Sequence, residues 1–431
     1  MQSLNKLLVP ALGAVVCLTQ SFPAQAMSLR DATEQAFQKN GIERVSAIAE
    51  VSKGNRASLS FAFKPVNVAP QGNGYIIVTD QTDPVALQSL NKLAQFHSGT
   101  IIQLKDFRNL YKIQGARGAL IEKLRAANPK YVALAPKIES FSENGLLAIW
   151  QLLLRLGNGQ LNVYPSFLIA ENNNALAALI NQAINREPLR ARDLHPVVIG
   201  QYTDAKSGGM RAVQKAAVLE DLFQGLRIEC PGLVVRTNTA PPNPASFPKI
   251  GALGTVQQAD SLIKQFPPQA AKALAASKLI VMFGHGSTGM SCSFDVNAAY
   301  RDIPMKNDIV LCGSCFSCTP PNSDLMQKSN GRRPESMAMR AINNGAQVFW
   351  GHMHENSGFP ELFVVFESLM KGEPVGQSYQ EVMNGIFANA KISPQQFILS
   401  EQELADKESV DQRNHLLFVM IGDPAARPIV E

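Results

Sequence analysis

Leu279-Ile-Val-Met-Phe-Gly-His-Gly-Ser287, Ile309-Val-Leu-Cys-Gly-Ser-Cys315 and Val348-Phe-Trp-Gly-His-Met-His354 are three versions of one pattern. Each is a short apolar run, rich in β-branched or aromatic residues, that stops at a glycine beside a chemically competent side chain. Runs of this length bounded by glycine read as buried strands. From Gly74 onward such runs alternate with stretches of helical period, which predicts βαβ units, an α/β fold and a largely parallel sheet. Ligands of an open parallel sheet bind outside the carboxyl ends of its strands. The three strings therefore predict one rim that carries His285, Cys315 and the pair His352 and His354.

Upstream the alternation is regular. Tyr75–Thr79 reads as a strand, Leu87, Leu90, Leu93 and Ala94 as a helix face, and Ile101–Leu104 as the next strand. Leu120, Ile121 and Leu124 form another stripe, followed by a strand at Tyr131–Leu134, a helix at Leu146–Leu156, a strand at Phe167–Ala170 and a helix through Leu176–Ile184. A charged connection runs to Asp193. The pattern restarts at Pro196–Ile199, with a helix ending at Gly225 and a strand at Leu233–Arg236. This divides the chain into a first α/β subdomain, residues 73–190, and a second, residues 191–431, that holds the chemistry. Residues 240–248 are too rich in proline for a ladder, and residues 27–72 are expected to form a small cap or a short pro-segment.

Lys6, the apolar Leu7–Leu18 and Ala24-Gln25-Ala26 have the order of a secretory signal peptide over residues 1–26. Cleavage after Ala26 predicts a secreted or periplasmic protein. The apolar stretch is shorter than the ~20 residues of a membrane span, so no stable membrane insertion is expected once it is removed. The chain has 431 residues, 45% hydrophobic and 17% charged, which excludes a disordered protein and allows two or three packed cores. A net charge of +5 with no basic run argues against nucleic acid as a partner. Six cysteines are too few for a disulfide scaffold, and Cys312, Cys315 and Cys318 crowd together as chemistry would place them.

A thiol and an imidazole on one rim suit nucleophilic acyl transfer. Cys315 follows a strand between Ser314 and Ser317, and is read as the nucleophile; Cys312 ends the apolar run and is read as core. His285, bracketed by Gly284 and Gly286, is read as the group that protonates the leaving amine. Main-chain N–H groups of Gly286 and Cys315 are positioned to hold an oxyanion. Ser287, Ser314, His352, His354 and Glu355 are expected to line the substrate cleft, and Asp295 and Asp302 to be solvated acids near the same rim. His97, His195 and His415 sit in or beside periodic segments and read as structural. His352 and His354 fall short of the three or four ligands that zinc takes, so no metal and no cofactor is expected. Two other functions stay open. The overlapping Cys-x-x-Cys motifs fit a thiol-disulfide oxidoreductase or a metal-cysteine protein, and a disulfide from Cys315 to Cys312 or Cys318 would mask the nucleophile. A peptidase scaffold can also serve as a non-catalytic binding protein.

The ordered blocks resemble one family. An apolar run closed by His-Gly, then a second closed by a small residue and Cys, resembles the caspase, legumain and gingipain clan of cysteine peptidases (clan CD), with the best match to gingipain-like peptidases. "VMFGHGS" is similar to their histidine block, "DIVLCGSCFS" to their nucleophile block, and "NNGAQVFWG" and "LLFVMIGDPAARP" to the segments that follow. "GYIIVTD", "PKYVALAP" and "VYPSFLIAENNNALAALINQAINRE" resemble their preceding subdomain. Gly313 stands where many members carry a polar group, and Cys318 where they carry a small residue. The resemblance implies a caspase-like three-layer α/β/α fold with two subdomains. It implies an endopeptidase that acts on protein or peptide substrates through a Cys315/His285 dyad and a thioester intermediate.

Overall fold

The computed structural model describes residues 65–202, 228–236, 253–257, 261–323, 336–355 and 360–430, with Phe223 and Leu325. The leader, most of the 27–72 segment, the helix expected to end at Gly225 and the stretch 240–248 lie outside the described residues.

The first half contains β1 (Gly74–Thr79), α1 (Pro84–Phe96), β2 (Thr100–Gln103), α2 (Asn109–Lys112) and α3 (Ala116–Ala127). β3 (Pro129–Ala135), α4 (Glu143–Leu156), β4 (Tyr164–Phe167) and α5 (Asn173–Asn185) follow. Local chemistry sets these boundaries. Asp83 accepts from the Val85 and Ala86 N–H groups, with Pro84 in the first turn of α1; Ser142 and Asn172 cap α4 and α5 in the same way. Asn128, at φ 45°, closes α3 just before Pro129. The strand expected at Phe167–Ala170 lies earlier, because Tyr164 and Pro165, which look like turn chemistry, carry the pairing with Tyr131 and Val132.

After a short β5 (Leu189–Arg190) come β6 (Val197–Tyr202), β7 (Gly232–Arg236), β8 (Thr255–Gln257), α6 (Pro268–Ala276) and β9 (Leu279–Phe283). A small antiparallel meander follows: β10 (Gly286–Ser287), β11 (Met290–Ser291) and β12 (Phe294–Asp295). Then come β13 (Ile309–Cys312), α7 (Met337–Asn343), β14 (Val348–His352), α8 (Pro360–Met370) and α9 (Val375–Asn389). Two short helices, α10 (Glu401–Leu404) and α11 (Lys407–Arg413), lead to β15 (Phe418–Ile421), and β16 (Ile429–Val430) pairs with β5. Among the described residues no helix is long and apolar enough to cross a membrane.

Eleven strands form one sheet, in the order β2-β1-β3-β4-β15-β14-β13-β9-β6-β7-β8. Helices cover both faces, which gives a three-layer α/β/α architecture. β9 and β13 are buried at every position, as strands covered on both sides must be. Every neighbouring pair is parallel except β14 with β15. The strand direction therefore reverses there. The carboxyl ends of β9, β13 and β14 share one rim, as the sequence predicts, while those of β1, β3 and β4 open on the opposite rim.

The seam between the halves is narrow: β15 meets β4 in register only at Ile421 with Phe167. Beyond β15, the buried Asp423 carboxylate accepts from Tyr75 Oη (2.8 Å) and pairs with His97 Nε2 (2.7 Å). His97 thus ties the end of α1 to the Gly-Asp-Pro segment.

Candidate active site

β9 delivers Gly284-His285-Gly286 to the rim. Its neighbour β6 delivers Gln201, which is buried and whose Oε1 accepts from the His285 main-chain N–H (2.7 Å). Gln201 Nε2 in turn donates to Ser293 Oγ (2.6 Å), in the turn between β11 and β12. The His285 carbonyl accepts from Cys292 N (2.9 Å). Cys292 and Ser293 both hold left-handed backbone, at φ 50° and 68°, a conformation that costs energy outside glycine. His285 is thus gripped through its main chain, and its side chain is exposed.

β13 delivers the thiol. Ser314 is buried, with its Oγ 3.2 Å from Ser291 Oγ and 3.5 Å from Cys292 Sγ. Cys315 is partly exposed, and Phe316 after it adopts φ 56°. The loop is stapled to the end of β14. Phe316 N donates to His354 O (2.8 Å), Cys318 N to His352 O (2.9 Å) and Thr319 Oγ1 to Met353 O (2.9 Å), while His352 N donates to Ser317 Oγ (3.0 Å).

The His285 and Cys315 loops touch main chain to main chain. A Cβ at Gly286 would sit 2.1 Å from the Cys315 carbonyl oxygen and 3.0 Å from its nitrogen. Only glycine permits that approach. The ladder bond from Cys292 N to His285 O straddles Gly286, so the Gly286 N–H lies outside the β10–β11 ladder.

The thiols differ sharply. Cys292, Cys312 and Cys318 are fully buried, and burial pushes all three pKa values up, that of Cys292 to about 12. They are neutral core thiols at physiological pH. No disulfide joins the described cysteines, so Cys315 is bonded to neither Cys312 nor Cys318. Among the described residues no three His, Cys, Asp or Glu side chains converge as metal ligands.

Two residues expected on the cleft wall lie beneath it. His352 is 1% exposed: its Nε2 donates to the Asn414 carbonyl (2.6 Å) and its Nδ1 accepts from His354 N (3.2 Å). Burial lowers its pKa to about 4, so it is a neutral core residue, packed edge-on against Phe418. Ser314 is sealed in the Ser291–Cys292 cluster. His354 is half-buried, with burial lowering its pKa and its ring edge-on to Phe316 at 4.9 Å. Ser287 and Glu355 are exposed near the same rim. Sequence reasoning missed Gln201, Ser291, Cys292, Ser293 and Phe316. The one available signal was a glutamine at the end of an apolar run, after Gly200.

No family model matches the chain, and no curated protein matches it. Among solved structures it is similar to two crystal structures of the separase–securin complex from Saccharomyces cerevisiae. They share 12% and 13% identity over 68% of this chain, with TM-scores of 0.36 and 0.32. The chain spans only 15% and 16% of those separase chains. An ornithine carbamoyltransferase from Burkholderia thailandensis E264 matches over 74% of this chain and 92% of its own, with 10% identity and a TM-score of 0.20. Likeness this remote leaves the activity to be argued from the site itself.

Proposed function

We propose that this chain is an exported, gingipain-like cysteine endopeptidase of caspase-like fold, in which Cys315 is the nucleophile and His285 the proton donor. The observation that carries the reading is the glycine-enforced contact between Gly286 and Cys315. It sets a half-exposed thiol beside the histidine loop, at the carboxyl ends of adjacent parallel strands. In this reading residues 1–26 direct export to the periplasm or beyond, 73–190 form a supporting subdomain and 191–431 the catalytic one.

The Cys315 thiolate attacks the scissile carbonyl, and the oxyanion takes hydrogen bonds from the main-chain N–H groups of Cys315 and Gly286. The C–N bond breaks as the His285 imidazolium gives its proton to the departing amine, leaving a thioester on Cys315. Water, deprotonated by the now neutral His285, then attacks the thioester, releases the acid and restores the thiol. No cofactor enters this sequence. Ser287, His354 and Glu355 border the cleft, and the substrate is a protein or peptide. The redox alternative is disfavoured because Cys312 and Cys318 are sealed in the core as neutral thiols and the redox chemistry gives His285 no task.

The test is iodoacetamide labelling beside hydrolysis of a peptide library by the purified mature chain. Wild type is expected to lose activity as Cys315 is alkylated, and Cys315→Ala to be inert and unlabelled at that site. Full hydrolysis by Cys315→Ala overturns the assignment.

A further inference from the structure

The residue before the nucleophile is buried, and its hydroxyl is turned toward the strand that holds the histidine loop. Ser314 Oγ lies 3.2 Å from Ser291 Oγ and 3.5 Å from Cys292 Sγ. Both neighbours belong to the meander. Ser291 pairs with Gly286 across β10 and β11, and Cys292 N donates to the His285 carbonyl (2.9 Å). One side chain of the Cys315 loop thus reaches the two residues whose main chain meets Gly286 and His285.

That contact has a direction. Ser291 and Ser314 are both fully buried, and a buried hydroxyl costs free energy unless it is hydrogen-bonded. The Cys292 contact of Ser314 is to sulfur, a weak hydrogen-bonding partner, so the Ser291 hydroxyl is the one that sets where Ser314 Oγ points. Serine has a single side-chain torsion, and a held Oγ holds the Cα beside it. An alanine would fill the same space without this restraint.

Main-chain bonds pin the loop on either side: Gly313 N donates to Met282 O (2.9 Å) and Phe316 N to His354 O (2.8 Å). Between these pins lies the Ser314–Cys315 peptide, whose N–H is the Cys315 oxyanion donor of the proposed reaction. Gly286 abuts that peptide, since a Cβ there would sit 2.8 Å from Ser314 Cβ and 3.0 Å from Cys315 N. The glycine sets how closely the two loops approach, and having no side chain it does not set how the peptide is turned. The Ser314 hydroxyl does.

We propose that Ser314 is a positioning residue of the peptidase: its hydroxyl, anchored on Ser291, orients the Ser314–Cys315 peptide so that the Cys315 N–H meets the oxyanion. The inference rests on the assignment of Cys315 as nucleophile. An oxyanion donor must be aligned with a charge that develops only in the transition state, so a tilted peptide slows the reaction without weakening substrate binding.

The test uses the best substrate of the peptide library and the corresponding peptide aldehyde, whose adduct with the thiol carries an oxygen at the same place. In the full mature chain Ser314→Ala is expected to lower kcat about tenfold, a fraction of what loss of a whole donor costs, with KM within about twofold of wild type. Inhibition by the aldehyde should weaken by a similar factor. Alkylation of Cys315 by iodoacetamide, which builds no oxyanion, should keep its rate. Ser291→Ala should reproduce the loss, and the double variant should be no worse than either single one, because both substitutions remove the same contact. Ser291→Ala also carries the comparison if Ser314→Ala does not fold. A kcat within about twofold of wild type, a loss carried by KM, or losses that multiply in the double variant overturn the proposal. Those outcomes leave the nucleophile assignment standing as long as Cys315→Ala is inert. Hydrolysis by Cys315→Ala removes that assignment, and the role of Ser314 falls with it.

Discussion

The two rims of the sheet are built by opposite means. At the Cys315 rim, side chains are withheld: Gly286 has none, and Cys292, Ser293 and Phe316 bend the backbone through left-handed conformations so that main chain meets main chain. At the Asp80 rim, where β1 ends, a side chain does the joining, one buried carboxylate accepting from three donors in two other loops. The first arrangement sets a partly exposed thiol beside the glycine loop that follows His285. The second leaves a closed, polar floor.

Substitutions can break that contrast, and the largest effect is expected at Gly286. A methyl there meets the Cys315 carbonyl oxygen at 2.1 Å, and no rotamer relieves a clash with main chain. Gly286→Ala should therefore lower kcat/KM about 100-fold or more while the protein stays folded, read from peptide hydrolysis beside circular dichroism. Activity within threefold of wild type would remove the contact from the mechanism. Asp80→Ala should do the reverse: about 2–3 kcal/mol of stability lost with three donors stranded, and the folded fraction as active as wild type. Urea unfolding and active-site titration separate the two quantities. A matching fall in the activity of folded protein would show that the rims are not independent.

Gln201 sharpens the comparison, because it is a side chain that holds the His285 main chain on that rim. Gln201→Leu is expected to lower kcat by roughly tenfold with KM little changed, and Gln201→Glu, which keeps the acceptor oxygen for His285 N, to restore part of it. A loss carried wholly by KM would assign Gln201 to substrate binding.

A smaller effect is expected at Asp308, which precedes β13 on the Asp80 rim. Its carboxylate oxygens lack hydrogen-bond donors among the described residues, with Lys278 Nζ at 3.5 Å, and burial raises its pKa to about 7. A carboxyl that binds its proton more tightly folded than unfolded gains stability as pH falls from about 7 toward 4. Asp308→Asn should flatten that limb and stabilise the protein at pH 8 by on the order of 1 kcal/mol, read from thermal melts across pH. Destabilisation at pH 8 would mean that the Lys278 pair outweighs the burial. The smallest effect is at Gly118, inside α3, where a Cβ has nothing within 4 Å. Gly118→Ala should add about 0.5–1 kcal/mol and leave hydrolysis unchanged.

The parts of the fold that the sequence discloses are those written in local pattern. Leu279–Phe283, Ile309–Cys312 and Val348–Trp350 are strands because uninterrupted apolar runs fit only a sheet covered on both faces, and they run parallel although the β10–β12 meander, not a helix, links the first two. The reversal between halves was not legible. It depends on β15, a strand distant in the chain, choosing β4 and β14 as neighbours. His352 was misplaced for a related reason. A histidine after an apolar run looks like a rim residue, and only its burial, with Nε2 on the Asn414 carbonyl and Nδ1 under His354 N, shows that it is core. Cys292 lies between two serines, with no periodicity to mark it as buried.

The position of β15 also makes the continuity of the sheet depend on residues far along the chain. Residues 74–167 carry all four strands of the first half, and β14 ends at His352. Yet β4 and β14 each keep a bare edge until Phe418–Ile421 slides between them. Contacts that close so long a stretch of chain are slow to form, and exposed strand edges invite pairing with other chains while they wait. The Tyr75 and His97 bonds to Asp423 fall two residues beyond the inserted strand and lock behind it. The sheet is continuous only with this strand in place, while the helix α9 joins the halves a second time, through Gln380 Nε2 on the Val163 carbonyl and Asn384 on Leu161.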